Sequence, residues 1–191
     1  MIAVMNDFEK LANEILYKYD IRRSPFMHIS KICEAENIKL RSVNLSEAVD
    51  GLFANIDEQK FIFYNSNKLE QRSVFTKAHE LGHYFLKHTL DGRQLICSNV
   101  GSNSSNNKQE WQADQFAVYF LMPKAFIVDG YIEICSRINR TVGQPIYVDK
   151  QSRNYRDWKI ICSYFKFELG VSSEALKYRL QNLGLLNWNL D

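Results

Sequence analysis

The five residues His79-Glu80-Leu81-Gly82-His83 constrain what this chain can fold into more than any other stretch of it. The pattern H-E-x-x-H makes chemical sense only on a helix. There the i,i+4 spacing sets two imidazoles one turn apart on one face, with a carboxylate beside them. Two such rings can hold a zinc ion and leave the glutamate within reach of water. Zinc in hydrolases takes three protein ligands and keeps a fourth position open, so the fold must bring one more Glu, Asp or His from a different element.

The next helix offers that ligand at its start. Glu110 and Asp114 are four residues apart and so share a helix face. One can bind metal while the other accepts a hydrogen bond from the far nitrogen of a ligand histidine, which fixes its tautomer. Favourable placement of acids at a helix start is the plainer explanation of the pair, and the H-E-x-x-H before it tips the reading to metal. Glu80 is the candidate general base, taking a proton from water acidified by the metal and passing it to the leaving amine. His88 lies nine residues after His79, too far round a continuous helix to share the ligand face, and reads as a helix-end residue; His28 is also set aside. Gly82 weakens the helix relative to Ala by about 1 kcal/mol, which close approach of a neighbouring strand or helix would explain. The sequence does not identify the oxyanion-stabilising group: Tyr64, Tyr119, Tyr131 and Tyr147 are candidates, and other residues are too.

The 191 residues, 46% hydrophobic and 24% charged, suffice for one domain with a sizeable core and a small appendage. The net charge of +2 is uneven: residues 137–191 hold nine Lys/Arg against five Asp/Glu, a bias too mild to argue for nucleic acid. Cys33, Cys97, Cys135 and Cys162 form no C-x-x-C pair, so reduced thiols in the cytoplasm are expected rather than disulfides or a thiolate metal site. No leader pattern and no run of eighteen apolar residues is present, and no membrane partner is expected.

Periodicity places helices at Asp7–Tyr19, about His28–Glu36 and Lys68–Lys87, with a strand at Ile38–Asn44. A hairpin is expected over Gly51–Asn65, turning at Asp57-Glu58-Gln59, its second run apolar on both faces and therefore central. Ser98–Gln109 reads as a polar surface loop near the mouth of the site, followed by a helix over Glu110–Leu121 that stops near Pro123. Two last helices are expected at Arg153–Glu168 and Ser173–Leu183, the second capped by Ser172 or Ser173.

Phe75-Thr76-Lys77-Ala78-His79-Glu80-Leu81-Gly82-His83, then Glu110-x-x-Ala113-Asp114-x-Phe116-Ala117 and Leu121-Met122-Pro123, resembles the ImmA/IrrE family of metallopeptidases, whose pattern is FTxAHELGH, E-x-x-A-N/D-x-F-A and a closing L-M-P. Gly170–Leu185 is similar to that family's C-terminal region. The chain departs from the family at Val118-Tyr119-Phe120, often Ala-Glu-Leu, and at Gln112, where many members carry Glu. The resemblance implies an α+β, minimal zincin-like fold, mostly helical with a small antiparallel-containing sheet and a C-terminal, helix-turn-helix-like helix pair. It implies a metallopeptidase domain over 1–136 and a helical region over 137–191 packed on the protease body. It implies zinc on His79, His83 and Glu110, with Glu80 catalytic and Asp114 supporting. The implied activity is cleavage of a helix-turn-helix repressor, releasing genes of a mobile element, phage or stress response.

Two alternatives come from the residues themselves. The helix pair around Leu169-Gly170-Val171-Ser172 could contact DNA through Ser173, Lys177 and Gln181; burial of Leu176, Leu180 and Leu183, or substrate docking, is the preferred expectation. The Gly51–Ile56 strand could offer an exposed sheet edge to an extended substrate. A regulatory or toxin–antitoxin module with a structural metal is the competing function.

Overall fold

In the computed structural model, residues 7–88, 95–98 and 104–190 are described. The chain divides into two compact units, Met1–Leu121 and Met122–Asp191. The expected boundary at 136/137 would cut a helix, α5 (Lys124–Arg137). That helix belongs with the C-terminal unit because Gly130 lets it approach the next helix: a Cβ there would lie 2.9 Å from the Phe165 ring.

The first unit begins with α1 (Asp7–Lys18), acidic in its first turn and basic in its last as the helix dipole favours, burying Ala12, Ile15 and Leu16. Pro25 opens a 3-10 turn to His28, where its missing N–H and fixed φ are tolerated, and α2 (Ile29–Ala35) follows. Strands β1 (Ile38–Val43), β2 (Val49–Ile56), β3 (Gln59–Asn65) and β4 (Leu95–Ser98) form one sheet in the order β1-β3-β2-β4. β1 runs parallel to β3, and the other pairings are antiparallel. β3 is central, as its two apolar faces required. Asp57 and Glu58, with φ of 48° and 65°, form a two-residue turn with both positions left-handed, the twist that suits a tight hairpin. β2, by contrast, is not an edge: Val49–Phe53 is paired with β4 on its second side, so it offers no free ladder to a substrate there. The short β4 was not foreseen.

Asn65, 1% exposed, ties the β1–β2 connection in place: its amide donates to the carbonyls of Ser46 (3.0 Å) and Val49 (2.8 Å). Behind the sheet, α3 (Glu70–Phe85) contacts β2 and β3, and α4 (Ser104–Leu121) contacts α3 and α1. α4 starts six residues before the expected Glu110, so part of the polar stretch read as loop is helical. Residues 99–103 lie outside the described residues.

A polar knot joins α1, α2 and α3. The Glu36 carboxylate accepts from Lys18 at 2.5 Å, from the Tyr19 hydroxyl, and from the Tyr84 hydroxyl at 2.7 Å. Lys18 first and then Tyr19 outweigh burial, with Tyr84 adding to them, and hold this carboxyl down at about 2 against an ordinary 4.5. A carboxyl ionised to lower pH in the folded chain than in the unfolded one adds stability above about pH 4.5 and loses it as pH falls toward 2. Glu36→Gln should therefore flatten the acid limb of a plot of urea midpoint against pH between 5 and 2.5, while wild type falls steeply there.

The second unit holds α5, β5 (Ile146–Val148), α6 (Ser152–Leu169), α7 (Ser173–Asn182) and β6 (Leu186–Trp188), with β5 and β6 parallel. α5 and the strand pair were not read from sequence. α6 ends on Gly170 at φ 66°, and Ser172 caps α7 by accepting from the Ala175 N–H at 3.2 Å. Leu176 and Leu180 are buried, whereas Leu183 is half-buried. Of the residues considered for DNA contact, Ser173 and Gln181 are exposed, but the Lys177 ammonium lies over the Trp188 ring at 3.9 Å. Among the described residues no helix is long and apolar enough to cross a membrane.

Candidate metal centre

α3 carries the H-E-x-x-H residues on its inner side: His83 and Glu80 are fully buried and His79 is 7% exposed. Two glycines seat this helix. A Cβ on Gly82 would stand 3.1 Å from both Cα and the carbonyl oxygen of Ala113, so α4 is the element whose close approach excludes a larger residue. Ala113 lies between Glu110 and Asp114, and the contact brings both carboxylates up to His79. On the sheet side, a Cβ on Gly51 of β2 would lie 2.4 Å from Thr76 Cγ2, 2.7 Å from the Phe63 carbonyl oxygen and 3.5 Å from Glu80 Oε1. Gly51→Ala should push β2 off α3, costing about 1–3 kcal/mol of stability and displacing Glu80. Denaturant unfolding would check the first effect, and a crystal structure of the variant the second.

His79, His83 and Glu110 offer ligand atoms that all lie within 4.8 Å of one another. The separations are 3.0 Å between the two Nε2 atoms, 3.2 Å from His79 Nε2 to Glu110 Oε2, and 3.6 Å from His83 Nε2 to Glu110 Oε1. Donors at about 2.0–2.1 Å around a tetrahedral zinc ion stand about 3.3 Å apart, a distance these three bracket. Two imidazoles and a carboxylate are also the donor types that zinc accepts in catalytic sites. The residues fit the ion.

Asp114 sits behind the cluster. Its Oδ1 is 2.8 Å from His79 Nδ1, so that ring nitrogen donates to the carboxylate and the opposite one, Nε2, faces Glu110 and His83. Burial alone would lower the His79 imidazole, but hydrogen bonds to Asp114 and Glu110 outweigh it and hold it at about 10. Burial likewise pushes the Glu110 carboxyl up, and the hydrogen bonds from His79 and His83 outweigh that, holding it well below the usual carboxylate range.

Two neighbours escaped the sequence reading. His88 Nδ1 is 2.9 Å from His83 Nδ1, and His88 Nε2 is 3.1 Å from Gln112 Oε1. Burial holds His88 below the ordinary imidazole value. Of the four tyrosines considered for the oxyanion, Tyr131 is committed elsewhere: its hydroxyl lies 2.8 Å from the Gln144 carbonyl and 2.9 Å from that of Leu185, within the second unit.

Residues 33–129, half of the chain, match the IrrE N-terminal-like domain of the family Peptidase_M78. Among curated proteins none matches the sequence. Among solved structures, a Mycobacterium tuberculosis transcriptional regulator is similar, with a TM-score of 0.57 at 12% identity over 93% of this chain and 47% of that one. The chain thus spans about half the length of that protein, and at such identity the likeness concerns the fold alone.

Proposed function

The chain belongs to the IrrE N-terminal-like peptidase family, a metallopeptidase-type domain, and on that premise we propose that it is a zinc-dependent endopeptidase that cuts a helix-turn-helix repressor. The observation that carries the reading is the three-donor cluster of His79, His83 and Glu110 with Glu80 buried next to it on the same helix. Structural zinc sites are closed by four protein ligands, whereas three leave room for chemistry; among the described residues the cluster has three.

His79, His83 and Glu110 would hold the ion, which when bound supplies Lewis acidity to the scissile carbonyl and to water. Glu80 accepts a proton from the attacking water and delivers it to the departing amine, a transfer worth about 10²–10⁴-fold in rate. Asp114 holds the His79 ring by its Nδ1–H and so keeps the Nε2 lone pair directed at the ion.

The repressor as substrate rests on family kinship and on the size of the second unit, whose α6–α7 pair offers a docking element. Lys177 stacked on Trp188 and the buried Leu176 and Leu180 support packing or docking there over direct DNA contact. Action in the cytoplasm agrees with the free thiols of Cys33, Cys135 and Cys162.

The test is incubation of the purified, zinc-loaded protein with helix-turn-helix repressors from the same genome, read by mass spectrometry. Cleavage at one position, abolished by a chelator and restored by zinc, is expected. A substrate left intact under all three conditions would overturn this choice of substrate.

A further inference from the structure

We infer that His88 and Gln112 form a positioning relay that fixes the tautomer of His83, and that zinc affinity depends on it. The inference rests on the metal site proposed above. It starts from how α3 ends. The Lys87 N–H donates to the Tyr84 carbonyl (3.1 Å), the His88 N–H donates to the His83 carbonyl (3.0 Å), and Lys87 is left-handed at φ 55°. These paired bonds and the left-handed residue make a Schellman stop, in which the second residue past the cap folds back onto the residue five before it. In most such stops that contact is apolar. Here it joins two imidazoles, with ring centroids 4.9 Å apart.

The direction of the hydrogen bonds follows from Gln112. Its Oε1 only accepts, so His88 Nε2 carries the hydrogen, at 3.1 Å. In a neutral imidazole the other nitrogen then accepts, and the atom facing it is His83 Nδ1 at 2.9 Å. His83 must therefore hold its hydrogen on Nδ1, which leaves the Nε2 lone pair pointing to His79 and Glu110. Reversing the chain of donors would place a hydrogen on His83 Nε2 and block ligation. His88 itself meets the ring nitrogen of His83 that faces away from the cluster, so it is a positioning residue and not a fourth ligand. The two ligand histidines are thus served alike, His79 by Asp114 directly and His83 by Gln112 through His88.

The experiment uses the full chain, with zinc affinity measured by chelator competition and imidazole tautomers read by long-range ¹H–¹⁵N NMR on the metal-free protein. Gln112→Leu keeps His88 and the helix stop, and should weaken zinc binding about 10- to 100-fold; His88→Ala should do the same. Gln112→Glu, which preserves an acceptor for His88, should restore affinity to near wild type. In the metal-free wild type, His83 should show its hydrogen on Nδ1 and His88 on Nε2. Zinc affinity within twofold of wild type in both Gln112→Leu and His88→Ala would overturn the relay, as would a His83 hydrogen on Nε2. Absence of zinc binding by wild type itself would instead sink the metal site, and the tautomer measurement, made without metal, would still decide the relay.

Discussion

Glu80→Gln should lower peptide hydrolysis by about 10²- to 10⁴-fold, the range removed with a positioned general base, and leave bound zinc unchanged. The separation is expected because Glu80 is not among the three clustered donors. Its side chain is fully buried between α3 and β2, at the point where Gly51 lacks a Cβ. Glutamine has nearly the same shape, so β2 and α3 should keep their spacing and the unfolding midpoint should move little. Single-turnover hydrolysis and metal content, measured on one preparation, would check this. A variant that still cuts within tenfold of wild type would remove Glu80 from the mechanism.

Glu110→Ala should act on the other half of the site. Structural zinc sites bind with apparent free energies of about 10–16 kcal/mol shared among their ligands, so one donor of three accounts for about 3–5 kcal/mol, roughly 10²- to 10⁴-fold in affinity. Hydrolysis at limiting zinc should fall in proportion and be partly recovered at high zinc. Glu110 is half-exposed on α4, while Ala113 and Phe116, on the face toward α3, are buried. The fold should thus survive the change, and circular dichroism should match wild type. Loss of helicity in the variant would mean that Glu110 serves the fold instead of the ion.

The site was legible where chemistry forces local spacing. His79, Glu80 and His83 declare themselves one turn apart, and Glu110 and Asp114 repeat that spacing on the next helix. His88 was missed because counting nine residues from His79 assumes a continuous helix. α3 stops at Phe85, and Lys87 turns the chain back without the glycine that usually marks such a stop. Gln112 was visible only as a departure from a family pattern, since its partner is a histidine out of helical register.

In the fold, strong periodicity carried the reading and short elements defeated it. α1, the β2–β3 hairpin, α3 and the last two helices were placed to within a few residues. β4, β5 and β6 span four residues or fewer, too few to show alternation. α5 was readable in principle: Ile127, Tyr131, Ile134 and Cys135 form one buried stripe. Gly130 in its middle is the contact with Phe165.

Whether His79, His83 and Glu110 hold one zinc ion is read most directly by zinc-edge X-ray absorption on the purified chain and its Glu110→Ala and Glu80→Gln variants. One zinc per chain is expected, with only nitrogen and oxygen neighbours at about 2.0–2.2 Å, a spectrum altered by Glu110→Ala and unchanged by Glu80→Gln. No bound zinc, a sulfur neighbour at about 2.3 Å, or a spectrum indifferent to Glu110→Ala would contradict it.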